Sequence, residues 1–210
     1  MSEESTLRFV AVAAMLGVTA SWLLGIWLHV RLSRRARTAG ARRIVRCVIP
    51  APAELISRRL VHELSCSPFF TASITGRLES VLTAVVTPIR GSVREAPAAA
   101  RVGGRLDDLG AECRLRLRID FTPLLERYAR ASRVWVFLVW PIWAFFTTAG
   151  TVLYISLAAD PSPWKEMWPA LAALPLAGEI AIVRRSDGGC RRLGDAVIGV
   201  VDDLRTSLLA

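Results

Sequence analysis

The residues of this sequence most able to do chemistry are three arginines that alternate with apolar residues near its centre. In the segment RLRLRIDF, Arg114, Arg116 and Arg118 face one way and the apolar residues between them face the other, as in a half-buried antiparallel strand. Three guanidinium groups on one face could bind phosphate, lipid headgroups or nucleic acid. Arginine on the solvent face of a strand also discourages pairing at a sheet edge, so both interpretations stay open.

A second basic group follows the first apolar run of the chain. It contains Arg34, Arg35, Arg37, Arg42 and Arg43, within a charged segment that we interpret as a linker over residues 31–43. Such a segment can lie against anionic headgroups, so we take these five arginines and the three of the strand as possible headgroup contacts. No exposed aromatic residues are interleaved with them, and we therefore expect no specific nucleic acid binding.

The sequence carries no signature of a catalytic, metal or cofactor site. Its four cysteines have neither CxxC nor Cys/His spacing. Its serines lack a GxSxG context, and Gly103-Gly104 lacks the frame of a phosphate-binding loop. We therefore expect a non-enzymatic protein without cofactor or metal, with a small lipid-modifying enzyme as the least supported alternative.

One acidic residue, Glu179, falls inside a predicted membrane span. An ionisable residue in that position is a functional candidate by default. Because Glu179 lies within two turns of Arg184 and Arg185, pairing with them near the interface is the structural alternative. His29 stands at the end of the first apolar run, and we expect His62, beside Glu63, to decorate the surface.

Three long apolar runs must position these groups, and they predict transmembrane helices over residues 9–30, 134–159 and 167–183. The third run is short, and a re-entrant segment is its alternative. Arginines flank the same side of each run, which predicts the N-terminus outside and the C-terminus in the cytoplasm. Residues 1–8 and 160–166 are then extracytoplasmic, in a multi-pass protein of the inner (plasma) membrane.

Small residues recur every four positions along the first predicted helix. They are Ala13, Gly17, Ser21 and Gly25, which share one helix face. Such a stripe lets another helix approach closely, and the partner would be the protein's own hairpin, a second copy or another membrane subunit. The alternative is that the stripe reflects only the local richness in small residues.

Between the first two runs, residues 44–133 predict a small cytoplasmic α+β domain. Its predicted elements are a strand at 44–49, a helix at 53–64, strands at 69–75 and 80–89, a loop at 91–100, and a hairpin of strands 102–106 and 113–121 around a turn at 107–110. Residues 184–210 predict an amphipathic tail helix. The fold class is thus a membrane protein with three transmembrane helices and an antiparallel, β-rich domain.

From Arg43 to Ala210 the chain resembles a group of bacterial membrane proteins in which a small α+β domain leads into a transmembrane hairpin. The residues that carry the resemblance are Gly104-Arg105-Leu106, Gly110 and the segment Arg114 to Phe121. The resemblance implies architecture only. We expect a scaffold or regulatory subunit at the cytoplasmic face. Its expected partners are the lipid bilayer and either a second copy of the chain, in a homo-oligomer, or other membrane subunits. An anionic lipid-binding module is the alternative.

Overall fold

A computed structural model describes residues 3–38, 41–67, 70–78, 81–88, 100–110, 112–157 and 164–209. The chain divides into two compact units. Unit 1 comprises Met1–Ser33 and Tyr128–Arg185, and unit 2 comprises Arg34–Arg127 and Ser186–Ala210. The predicted loop at 91–100 and the predicted extracytoplasmic loop at 160–166 lie largely outside the described residues.

The described elements are a long first helix, a run of five short strands interrupted by one helix, and a final group of helices. In chain order they are α1 (Glu3–Arg37), β1 (Arg42–Ile49), α2 (Ala53–Cys66), β2 (Phe70–Leu78), β3 (Val81–Pro88), β4 (Ala100–Asp108), β5 (Cys113–Asp120), α3 (Thr122–Val134), a π-helical turn (Trp135–Val139), α4 (Trp140–Leu157) and α5 (Trp164–Leu209). The strands and α2 agree with the predicted positions to within a few residues.

Unit 2 is built on a five-stranded antiparallel sheet with the order β1-β5-β4-β3-β2. Apolar and polar residues alternate along β4 and β5, and their burial alternates in step, so each strand has one buried and one exposed face. The turn between these two strands places Gly110 at a φ of 89°, where the amide of Gly110 donates to a carboxylate oxygen of Asp108 at 2.9 Å.

The core of unit 2 lies on the inner face of this sheet. Leu115, Leu117 and Ile119 of β5 are fully buried there. Helix α2 contributes a stripe of apolar residues at a spacing of four, and the C-terminal part of α5 contributes a stripe at spacings of four and three. The buried members are Ile56, Leu60, Leu64, Val197, Val201 and Leu204. These spacings put the apolar side chains of each helix on one face, which explains why both helices pack as they do.

Unit 1 is helical, and two tryptophan side chains tie its helices together through backbone carbonyls. The indole N–H of Trp22 donates to the carbonyl of Val136 at 3.2 Å, and that of Trp135 donates to the carbonyl of Pro175 at 2.8 Å. A Cβ added to Gly178 would lie 2.2 Å from the Trp135 ring. Only glycine at position 178 therefore lets the ring lie against α5.

The prediction of three transmembrane helices is wrong in its third member. Residues 167–183 are not a separate helix, because α5 runs as one helix from Trp164 to Leu209 and includes most of the predicted tail helix at 184–210. Among the described residues, two helical segments are long and apolar enough to cross a membrane by length and composition, Met15–Arg37 and Thr122–Ala149. In each, 17% of the apolar window is buried.

Candidate functional site

The outer face of the unit 2 sheet carries a dense group of arginines. Residues that are directly opposite each other on neighbouring antiparallel strands point to the same face, so the register assigns each side chain. Seven exposed arginines share this outer face: Arg42, Arg46, Arg101, Arg105, Arg114, Arg116 and Arg118. The described acids among them are Asp107 and Asp120, so the face is strongly positive.

Three of these arginines form a row across three neighbouring strands. Arg116 of β5 stands directly opposite Arg46 of β1 on one side and opposite Arg105 of β4 on the other. We call Arg46, Arg116 and Arg105 the arginine row. Like charges in directly opposed positions destabilise a sheet. One acid relieves part of this repulsion, since Nε of Arg105 lies 3.0 Å from a carboxylate oxygen of Asp107.

The positive charge of this face acts on Asp120 at its edge. Burial alone would raise the pKa of Asp120, but hydrogen bonds from the side chain and backbone of Thr122 and the charges of Arg42 and Arg118 outweigh it, and the pKa is lowered. Asp120 therefore stays ionised and neutralises part of the face. It also satisfies the first backbone N–H of α3, since its carboxylate accepts from the Thr122 amide at 3.0 Å.

The structure separates the arginines that the sequence suggested as headgroup contacts. Arg42 joins Arg114, Arg116 and Arg118 on the outer face. Arg43 instead lies opposite Ile119 and pairs with Asp195 at 2.8 Å, and Arg35 pairs with Asp187. Arg34 and Arg37 are exposed on α1.

The edge-strand interpretation of Arg114, Arg116 and Arg118 is wrong, because β5 lies between β1 and β4 inside the sheet. Sequence reasoning also missed the cross-strand partners of these residues. Arg46 and Arg105 stand in predicted strands, but nothing in the local sequence shows that both strands flank β5.

A buried polar network in unit 1 joins α1, α3 and α5. Nδ1 of His29 lies 2.9 Å from Oγ of Ser132, and the Ser132 hydroxyl donates to Oε1 of Glu179. Because Ser132 gives its hydrogen to Glu179, its oxygen accepts from the Nδ1–H of His29, which selects that tautomer. All three side chains are buried, with exposures of 7% for His29 and 0% for Ser132 and Glu179.

Glu179 is thus placed away from the partners that the sequence suggested. Among the described residues it forms no ion pair with Arg184 or Arg185. The Oε2 atom of Glu179 is buried and has no hydrogen-bond partner among the described residues. Burial raises the pKa of Glu179, although the hydrogen bond from Ser132 opposes the shift. Burial, with the charge of Arg133, lowers the pKa of His29.

This network has the residue types of a hydrolase triad but not its order. In such a triad the histidine lies between the serine and the acid, where it takes the serine proton. Here Ser132 lies in the middle and is fully buried, so no substrate reaches its oxygen in this structure. The arrangement fixes three helices to one another rather than activating a nucleophile.

The small residues of α1 occupy different environments. A Cβ at Gly25 would make ordinary contact with the Trp140 ring at 3.5 Å, whereas one at Gly17 would meet nothing within 4 Å. Ser21 donates to the carbonyl of Val18 in its own helix at 3.0 Å. The side chain of Ala13 lies outside the described residues. Close packing along the whole stripe stays a prediction.

No protein-family model matches the chain, and no curated protein matches its sequence. Parts of the chain are similar to solved structures. CalU16 from Micromonospora echinospora has 14% identity over 68% of this chain and 88% of its own, with a TM-score of 0.31. The Zhui aromatase/cyclase from a Streptomyces species has 15% identity over 58% and 99%, with a TM-score of 0.24. A START superfamily protein from Mycobacterium smegmatis has 10% identity over 46% and 93%, with a TM-score of 0.25.

The prediction of an integral membrane protein with three transmembrane helices is wrong. The two segments that pass the length and composition test do not establish membrane spans, because the core helix of a soluble protein or a signal sequence passes the same test. The predicted multi-pass topology in the inner membrane, with the N-terminus outside and the C-terminus cytoplasmic, is wrong as well, since the described residues contain only two candidate segments and neither is established as a span.

Proposed function

We propose that the chain is a non-enzymatic binding protein whose unit 2 holds a ligand with several phosphate groups on the outer face of its sheet. The observation that carries this proposal is the arginine row, in which Arg116 stands between Arg46 and Arg105. Three opposed guanidinium groups repel one another in the free protein, and an anion laid across them turns that repulsion into attraction.

The geometry of the sheet favours a ligand that carries repeated charges. Neighbouring strands lie about 4.8 Å apart, and successive residues on one face of a strand are about 7 Å apart. The arginines therefore form a grid on a surface built of backbone hydrogen bonds. A guanidinium group binds phosphate oxygens through two parallel hydrogen bonds, so each position of the grid offers a defined contact.

The apolar residues on this face argue against recognition of single-stranded nucleic acid by stacking. Ile44 and Val48 are the large apolar side chains that β1 exposes, at 47% and 42%. Neither is aromatic, and base stacking requires aromatic platforms. The outer face then recognises the negative charge of a ligand rather than the identity of a base.

Inorganic polyphosphate is the probe that tests this proposal most simply. Binding to the full-length protein is measured by calorimetry over a range of NaCl concentrations. In the test variant, R46Q/R105Q/R116Q, we expect at least tenfold weaker binding. A control variant, R58Q/R192Q/R205Q, removes the same charge elsewhere in unit 2 and should bind as the natural chain does. Equal losses in the two variants would refute a specific role for the arginine row.

Two further probes distinguish the sources of the phosphate. Vesicles with anionic phospholipids and single-stranded DNA are offered to the same variants. Preference for vesicles over polyphosphate, lost with the arginine row, would identify lipid headgroups as the ligand. Equal binding to neutral and anionic vesicles would exclude headgroup recognition.

Self-association or another protein partner also stays a prediction, separate from the anion site. The large apolar side chains that α4 exposes support it, and Phe145 and Phe146 are the clearest, at 68% and 66% exposure.

A further inference from the structure

A second basic feature of unit 2 lies apart from the arginine row, where the start of β1 meets α5. A cavity of about 220 Å³ opens there to the surface. Its polar lining consists of four arginines, and its apolar lining of three residues: Arg35, Arg42, Arg43 and Arg191, with Phe121, Leu125 and Cys190. We call this cavity the basic pocket.

Three of the four arginines in the basic pocket already have an acidic partner. Arg35 pairs with Asp187, Arg43 with Asp195 at 2.8 Å, and Arg42 with Asp120 at 3.9 Å. Arg191 is different. Within the described ranges no carboxylate lies at salt-bridge distance from it, so the pocket has one uncompensated guanidinium group.

The rest of the lining is apolar. Phe121 and Leu125 are 5% and 1% exposed, so they form a floor rather than a rim. Cys190 belongs to this floor, and burial raises the pKa of its thiol to about 11. A thiol in that state is neutral and unreactive, so the pocket offers contact surface and no nucleophile.

From these features we propose that the basic pocket binds a small organic monoanion, with its carboxylate on Arg191 and an apolar ring or short chain on Phe121 and Leu125. One uncompensated guanidinium group matches one carboxylate, which it holds through two parallel hydrogen bonds. An apolar cavity of about 150 Å³ accepts benzene. A pocket of about 220 Å³ thus suits a molecule with a few more heavy atoms than benzene.

The site goes beyond the proposed function, because it takes a different ligand through a different residue. Arg191 is not part of the arginine row, and the row contributes nothing to the pocket lining. Arg42 is the one arginine common to the outer face and the pocket, so variants of Arg42 are avoided in the test.

Benzoate and its neutral counterpart benzamide are the probes, and binding to the full-length protein is followed by calorimetry. We expect benzoate to bind the natural chain with a Kd in the millimolar range or tighter and benzamide to bind at least tenfold more weakly. R191Q should lose this preference for the anion. R192Q changes the next residue, which does not line the pocket, and should keep it.

A second variant tests the apolar floor without a change of charge. Cys190→Leu enlarges a floor residue, and benzoate binding should fall at least tenfold while polyphosphate binding is retained. Benzoate binding that is equal to benzamide binding, or equally weakened in R191Q and R192Q, would overturn the proposal. If R46Q/R105Q/R116Q loses polyphosphate binding and keeps benzoate binding, the arginine row and the basic pocket are independent sites. Failure of one proposal then leaves the other in place.

Discussion

Replacement of Arg116 by glutamine should make the free protein more stable while it weakens anion binding. Arg116 faces two arginines, Arg46 and Arg105, in directly opposed positions. Opposite charges in such positions contribute roughly 0.2–1 kcal/mol and like charges are destabilising, so we take a cost of the same size for each pair. Two pairs and the partial compensation of Arg105 by Asp107 give a gain of about 1 kcal/mol for R116Q. In a chain of 210 residues this corresponds to a Tm higher by about 2–4 °C.

Thermal unfolding followed by circular dichroism at low and high salt measures this gain. Salt screens exposed charges, with a Debye length of about 10 Å at 0.1 M and about 3 Å at 1 M, so the gain should shrink as NaCl is added. Arg114→Gln is the matched control on the same strand. Arg114 lies opposite Val48 and Asp107, so its loss removes an attraction and should leave Tm unchanged or lower. If R116Q and R114Q behave alike at low salt, the repulsion argument fails.

The remaining predictions concern unit 1. Burial raises the pKa of Glu179, so the folded state holds this proton more tightly than the unfolded state, and stability should fall as the pH rises above the ordinary value of a glutamate. Glutamine cannot ionise, so the Tm of E179Q should exceed that of the natural chain at pH 8 and approach it at pH 5; parallel pH profiles would contradict a buried, titrating carboxyl. Gly178→Ala places a Cβ 2.2 Å from the Trp135 ring and should cost about 1–3 kcal/mol, with a changed near-UV tryptophan signal. Gly199→Ala on the same helix meets nothing within 4 Å and should stabilise by up to about 1 kcal/mol; an equal loss in both variants would contradict the packing of Trp135 on α5.

The strands of unit 2 could be predicted from sequence because their signal is local. In β5, apolar residues at every second position specify which face is buried, and the structure buries Leu115, Leu117 and Ile119. Strand order is not local. The arginine row depends on β1 and β4 flanking β5, and the pairing of Arg46 with Arg116 joins residues that are far apart in the chain.

The predicted end of the third apolar helix, at residue 183, was wrong for a related reason. Arg184, Arg185 and the pair Gly188-Gly189 mark what resembles the end of a helix, since glycine costs about 1 kcal/mol relative to alanine in a helix interior. Helix α5 nevertheless continues, because Cys190, Leu193 and the apolar residues after them are buried in unit 2. Tertiary packing overrides local propensity there.

The buried network of unit 1 shows what periodicity does not reveal. Glu179 was recognisable as an isolated acid in an apolar run. Ser132 was not, because its contacts with His29 and Glu179 span 103 and 47 positions of sequence.

The salt dependence of polyphosphate binding tests the central claim most directly. Each phosphate neutralised by an arginine contributes about 0.7–0.9 to the slope of log K against log salt concentration. If the arginine row holds the ligand, R46Q/R105Q/R116Q should lower the magnitude of this slope by about 2–3, and R58Q/R192Q/R205Q should leave it unchanged. The same slope in all three proteins would contradict the account.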